Sequence, residues 1–177
     1  YNNYNHKENL KIIKNIVSVA NNSLTIKKII HISTAIVSSN NEIDKVSEST
    51  KITNTNKYKE NKYLIEKILQ DNLSKSIDLI ILRPTEISNF QNKKSTIYSL
   101  KEKCLHHNLS NKILHFFLGI RILNYVSIDN VTSAIIFFMN KNKILRQNNI
   151  FFVSEDKENK NFNYYSKFLS NKYYYSK

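Results

Sequence analysis

The chain has 177 residues, 41% of them hydrophobic, with 11 Tyr, 9 Phe and a formal net charge of +13. That length and apolar content suit a folded domain of ordinary size rather than a disordered chain, and no apolar run approaches the roughly 18 residues of a membrane-spanning helix. The charge invites a nucleic-acid reading, yet only Arg83, Arg121 and Arg146 among 27 basic residues are arginines and no basic block concentrates them, so a solvated, lysine-rich surface is preferred.

In chain order, Leu10, Ile13, Val17 and Ala20 recur at helical spacing beside Ile12, Ile16 and Val19, which predicts an amphipathic helix over residues 7–20. The run KKIIHISTAIV predicts a strand over 28–33 that delivers two hydroxyls, Ser33 and Thr34, at its end. Residues 38–54 are polar and read as a loop over the edge of a site, with Thr55 or Asn56 capping the next helix. In that helix Ile65 and Leu69 extend the stripe of Tyr58 and Lys62 into the core. Continuous apolarity over 77–82 predicts a parallel strand covered on both faces, closing on Arg83 and on Pro84, the only proline. Beyond it the pattern predicts a helix near 95–106, strands near 112–118 and 123–128, a helix over 129–140, a strand near 149–154, a final helix and a disordered Tyr-rich tail at 173–175. The one cysteine, Cys104, has no partner for an internal disulfide, which fits a reducing cytoplasm; no signal-peptide layout opens the chain.

A strand, a helix and a strand in that order make a βαβ unit, and ligands of parallel sheets sit beyond the carboxyl ends of the strands. Tyr58 and Lys62, four apart on the helix, share the face turned towards Thr34. The spacing itself is unspecific, since this composition gives roughly one or two Tyr-x-x-x-Lys matches by chance. Tyr63/Lys67 and Tyr173/Lys177 fit it too. Only Tyr58 follows a strand ending in Ser-Thr and precedes a helix leading to a strand that ends in Arg-Pro.

These segments together resemble the extended short-chain dehydrogenase/reductases, the NAD-dependent epimerase/dehydratase group that modifies nucleotide sugars. ENLKIIKNIVSVA resembles the helix before the serine/threonine strand, HISTAIV that strand, and Glu48 the acidic residue in the loop after it. TNKYKENKYLIEKIL is similar to the catalytic helix down to Glu66, LIILRPTEI to the following strand and turn, LNYVSIDNVTSAIIFF to a short strand and Asp-led helix, and NNIFFVSED to a late strand returning to the sheet.

The resemblance implies an α/β fold: the latter part of a doubly wound parallel (Rossmann-type) sheet plus a small C-terminal substrate-binding region. Residues 1–90 would be the C-terminal half of the NAD(P)-binding domain and 91–177 the substrate-binding region. It implies NAD or NADP as cofactor and a nucleotide sugar as substrate, with Tyr58, Lys62 and Thr34 catalytic. Ser33, Tyr58, Lys62, Pro84, Thr85 and Ile87 would contact cofactor; Thr34 and Arg121 would contact substrate. A free tyrosine has a pKa of about 10, so a phenolate working near pH 7 needs roughly 4 kcal/mol of differential stabilisation, and a neighbouring cation acts in that direction. Tyr58 would take a proton from a sugar hydroxyl while Thr34 holds the reacting oxygen. A cytoplasmic enzyme is expected, without nucleic-acid, membrane or metal partners. Family members often pair through the helix bearing Tyr58 and the one before it, so a homodimer is allowed.

Departures from the family pattern matter equally. The chain has a single glycine, Gly119, and begins at Tyr1. It lacks the glycine-rich turn that cradles a cofactor pyrophosphate, so it reads as the latter part of a longer protein and on its own is expected to bind NAD poorly. Ser38 and Ser39 replace the usual Tyr-Gly, Asn61 a Ser, and Asn130 the second acid of an Asp-Asp pair. A non-catalytic relative acting as a dimerising module, and an acyl-thioester reductase suggested by His-x-Ser-Thr-Ala, remain open alternatives.

Other residues have plainer readings. Adjacent His106 and His107 point in different directions on a helix, which makes a solvated end of them rather than a metal site. His31 inside the strand reads as a hydrogen-bonded core histidine. Thr85, Glu86 and Ile87 read equally as a cofactor-contacting turn and as a simple loop. Arg121 is off the family register by about two residues and reads better as surface charge, and Asp129 as a helix N-terminal residue favoured by the macrodipole.

Overall fold

The structure is a computed structural model that describes residues 6–38, 47, 48, 50, 57–88, 124–141 and 149–155. Its elements are helix α1 (His6–Asn22), strand β1 (Lys28–Ile32), a 3₁₀ turn (Ala35–Ser38), helix α2 (Lys57–Asn72), strands β2 (Asp78–Pro84), β3 (Glu86–Ser88) and β4 (Tyr125–Ser127), helix α3 (Ile128–Asn140) and strand β5 (Ile150–Val153). The expected helix near 95–106, the strand near 112–118, the closing helix and the Tyr-rich tail lie outside the described residues.

The chain divides into two compact units, Tyr1–Thr85 with Val131–Val153, and Glu86–Asn130 with Ser154–Lys177. In the first unit a three-stranded sheet has the order β1-β2-β5, and both pairings are parallel. The register runs Lys28↔Asp78 to Ile32↔Leu82 on one side and Ile81↔Ile150 to Pro84↔Val153 on the other. Parallel neighbours need long crossovers, and α2 supplies the one between β1 and β2. As the central strand, β2 is buried from Leu79 to Pro84, in keeping with its continuous apolar sequence.

Alternation along β2 feeds two cores. Leu79 and Ile81 face Ile13 and Val17 of α1 and Ile65 and Leu69 of α2. Ile80 and Leu82 face Phe138 of α3, with Ala134, Ile135, Phe151 and Val153 around them. Helices therefore cover both faces of a parallel sheet, the doubly wound α/β arrangement the sequence predicts. Asn21 secures the lower ends of the helices: its Nδ2 donates to the Asn72 carbonyl at 2.8 Å, and its Oδ1 accepts from the Ser74 amide at 2.8 Å. Lys28 does the same for α3, donating to the carbonyls of Phe138, Met139 and Lys141 at 2.7, 3.2 and 2.6 Å. A lysine there also matches the negative end of the helix dipole.

In the second unit β3 and β4 pair in parallel from Glu86↔Tyr125 to Ser88↔Ser127. The loop reading of residues 85–87 is corrected here, because Glu86 and Ile87 lie in a strand. Three residues carry too little periodicity to signal one, and the distant β4 supplies the pairing. At the start of α3 the Ser127 hydroxyl accepts from the Asn130 amide at 3.2 Å, and Glu155 Oε1 accepts from the Ser127 amide at 2.8 Å. Ser127 thus caps the helix and Asp129 sits in its first turn.

Candidate active site

The site lies at the carboxyl ends of β1 and β2. β1 ends at Ile32, and the chain stays registered beside β2 for one more residue, the Ser33 amide donating to the Leu82 carbonyl at 2.7 Å. The 3₁₀ turn follows at once. Thr34 immediately precedes it, with the Val37 amide bonded to the Thr34 carbonyl at 3.2 Å and the Ile36 amide to Thr34 Oγ1 at 3.5 Å. The hydroxyl of Thr34 accepts in that turn, so its own O–H remains a donor. Ser33 is buried, and its Oγ has no hydrogen-bond partner among the described residues.

α2 packs against this turn. Tyr58, Lys62, Ile65 and Leu69 lie within one narrow stripe of the helix, separated by three and four residues. Ile65 and Leu69 are buried at 8% and 0% exposure, whereas Tyr58 is 39% exposed. The first turn of α2 therefore turns the phenol in the direction of the core while leaving it open. Lys62 Nζ lies 5.9 Å from the centroid of the Tyr58 ring, a cation over an aromatic face.

Beneath this pair lies a buried ionic lock. Arg83 Nε donates to Glu66 Oε1 at 3.1 Å and Nη2 to Oε2 at 2.5 Å, while Nη1 donates to Ser38 Oγ at 2.7 Å. Sequence reading placed Arg83 and Glu66 on the right elements, but Ser38 carried no signal, because a serine in a polar stretch has no period to betray a buried partner. Lys59 was likewise missed. Its side chain is buried, and burial pushes its ammonium below the usual 10.5.

His31 lies within β1, as expected, but its Nε2 is buried with no hydrogen-bond partner among the described residues, which corrects the reading of a bonded core histidine. Burial, and then the Lys62 charge, hold its pKa below 6.5, while Glu66 acts the other way. Pro84 ends β2, and just beyond it the Thr85 amide donates to the Val153 carbonyl at 3.0 Å. Ile87 stands on β3 in the second unit, 42% exposed. Glu48 is exposed and accepts from the Phe152 amide at 3.3 Å, covering an edge position of β5. Arg121, His106 and His107 lie outside the described residues. Among the described residues no group of three acidic, histidine or cysteine side chains has metal-binding geometry, and no helix is long and apolar enough to cross a membrane.

Comparison with known proteins agrees with the fold. No curated protein matches the chain. Among solved structures it is similar to WbmG of Bordetella bronchiseptica in complex with NAD, with TM-score 0.71 and 11% identity over 98% of this chain and 53% of that one. It is also similar to a UDP-N-acetylglucosamine 4-epimerase from Methanobrevibacter ruminantium in complex with UDP-N-acetylmuramic acid, with TM-score 0.68 and 14% identity over 94% and 53% of the two chains. A third is the UDP-glucuronic acid 4-epimerase of Bacillus cereus in complex with NAD, with TM-score 0.62 and 16% identity over 87% and 48%. The chain thus spans about half the length of each of these structures. At such identities the likeness is one of fold. The family model described as NAD dependent epimerase/dehydratase matches residues 1–153, and the chain belongs to that family.

Proposed function

We propose that this chain supplies the tyrosine, lysine and threonine part of an NAD(P)-dependent enzyme that epimerises, dehydrates or reduces a nucleotide sugar. The observation that carries the reading is Tyr58, a phenol on the core-facing stripe of α2 that stays 39% exposed with the Lys62 ammonium 5.9 Å from its ring. Membership of an NAD-dependent family supports it.

The residues at the carboxyl ends of β1 and β2 suit the nicotinamide end of such a cofactor. Ser33 offers a buried hydroxyl with no partner among the described residues, and Lys62 offers donors and a positive charge. The described residues include no glycine, so a glycine-rich pyrophosphate turn is not among them. When bound, the cofactor supplies a hydride acceptor and donor. Tyr58 takes the proton from a sugar hydroxyl, Lys62 favours the phenolate that does so, and the O–H of Thr34 donates to the reacting oxygen. Pro84, Thr85 and Ile87 are proposed as further cofactor contacts, and Arg121 as a substrate contact.

The exposed apolar stripe Ile12, Ile16 and Val19 on α1 supports pairing of two copies through this helix. The catalytic test is Tyr58→Phe in the full-length protein, with NAD binding and conversion of UDP-N-acetylglucosamine as readouts. Turnover is expected to fall by about 10²-fold or more while NAD binding is kept. Full activity in the variant sinks the proposal.

A further inference from the structure

The strongest tie between the elements of this site comes from a residue with no assigned part in the chemistry. Arg83 is 2% exposed, and its guanidinium meets Glu66 fork to fork at 3.1 and 2.5 Å while its third nitrogen donates to Ser38 Oγ at 2.7 Å. Glu66 and Ser38 are themselves buried, at 1% and 0% exposure. One planar group therefore holds a strand, a helix and a turn. Glu66 stands four residues after Lys62 on α2, and Ser38 closes the 3₁₀ turn that starts directly after Thr34.

Apolar burial alone leaves a degree of freedom that this lock removes. Ile65 and Leu69 press α2 against α1 and the sheet, but hydrophobic contact has no direction and tolerates a helix sliding or rolling by a fraction of a turn. A bidentate guanidinium–carboxylate pair has fixed direction and reach. The Glu66 arm is not readily released, because a buried charge stripped of its counterion is strongly unfavourable, and release of the Ser38 arm leaves a buried N–H donor unsatisfied.

We propose that Arg83 is a positioning residue for the Tyr58, Lys62 and Thr34 site, setting the spacing between α2 and the turn after β1, with Ser38 as the arm that reaches the turn. The inference rests on the catalytic reading of those three residues. Ser38 stands where the resemblance expects a tyrosine, so its hydroxyl arm belongs to this chain's own solution.

The test uses the full-length protein. Nitroxides at Ile36→Cys and Asp71→Cys, both exposed positions, in a background with Cys104 and every other native cysteine changed to serine report the separation of turn and helix by pulsed dipolar spectroscopy without cofactor or substrate. The distribution is expected to have a single narrow peak, to lose it in Ser38→Ala and to regain it in Ser38→Thr, which keeps the hydroxyl. With NAD and UDP-N-acetylglucosamine, kcat is expected to fall by about tenfold or more in Ser38→Ala with KM unmoved, since a displacement of ~1 Å can cost about 10²-fold. An unchanged distance distribution in folded Ser38→Ala overturns the inference, as does a lowered melting temperature with both other readouts unmoved. Tyr58→Phe separates the two failures. Turnover that survives Tyr58→Phe removes the catalytic reading, whereas turnover lost there but intact in Ser38→Ala removes the role of Arg83 alone.

Discussion

The Lys62 ammonium lies 5.9 Å from the centre of the Tyr58 ring, one helical turn along α2. A cation near a phenol favours the ionised over the neutral form. Replacing it by a neutral side chain of similar length takes that preference away. On the proposed mechanism, Lys62→Gln should therefore move the acid limb of the kcat/KM profile towards alkaline pH. Turnover at pH 7 should fall by at least about tenfold. A profile of Lys62→Gln superimposable on that of the parent protein would refute this coupling.

His31 predicts an acid sensitivity in the folding equilibrium. Its folded pKa lies below 6.5, through burial first and Lys62 second, with Glu66 opposing. The unfolded chain therefore binds the proton more readily than the native one. Stability from this group is complete above pH 6.5 and declines as pH falls from there to the folded value. The slope contributed cannot exceed about 1.4 kcal/mol per pH unit. Urea titrations at pH 7.5, 6.5 and 5.5 should show the parent losing more stability on acidification than His31→Gln. Parallel losses in both proteins would assign the acid sensitivity to other groups.

How much of this was legible follows from where each signal resides. Strand β2 declares itself through a continuous apolar run, since it is covered on both faces, and helix α1 through a period of 3.6 residues, since it buries one face. Tyr58 was found from its place between two strands, not from its spacing to Lys62, which two other tyrosines share. β3 was not legible, since Glu86–Ser88 becomes a strand only through pairing with Tyr125–Ser127, far along the chain. The Ser38–Arg83 bond is tertiary in the same sense. Nothing local to a serine at the end of a 3₁₀ turn specifies a guanidinium 45 residues away.

The buried ion pair makes a stability prediction separate from any catalytic one. Glu66→Gln leaves the Arg83 charge in a site of 2% exposure without its counterion and should destabilise by about 3–5 kcal/mol. Replacing both partners by apolar residues, as in Glu66→Leu with Arg83→Met, should cost less than the sum of the single changes, because no lone charge is left buried. Additive losses in a double-mutant cycle of denaturation free energies would show that the two groups do not depend on each other.

Lys28 offers the last prediction, at the opposite end of the sheet. Its three N–H donors match the carbonyls of Phe138, Met139 and Lys141, the terminal turn of α3 and the residue beyond. Four such carbonyls lack helical partners in any α-helix, and a cation there also meets the negative end of the dipole. Phe138 belongs to the core formed with Ile80 and Leu82, so the cap and the packing hold the same turn. Lys28→Met keeps the apolar stem and deletes the donors. It should lower stability by about 1–2 kcal/mol, with the dependence on denaturant unchanged. Phe138→Ala should cost about 3–5 kcal/mol by leaving a cavity. Once that ring is gone the final turn of α3 has less to hold it, and the cap has less structure to secure. The double variant should then lose less than the two single losses combined, and simple additivity would mean that Lys28 and Phe138 anchor α3 independently.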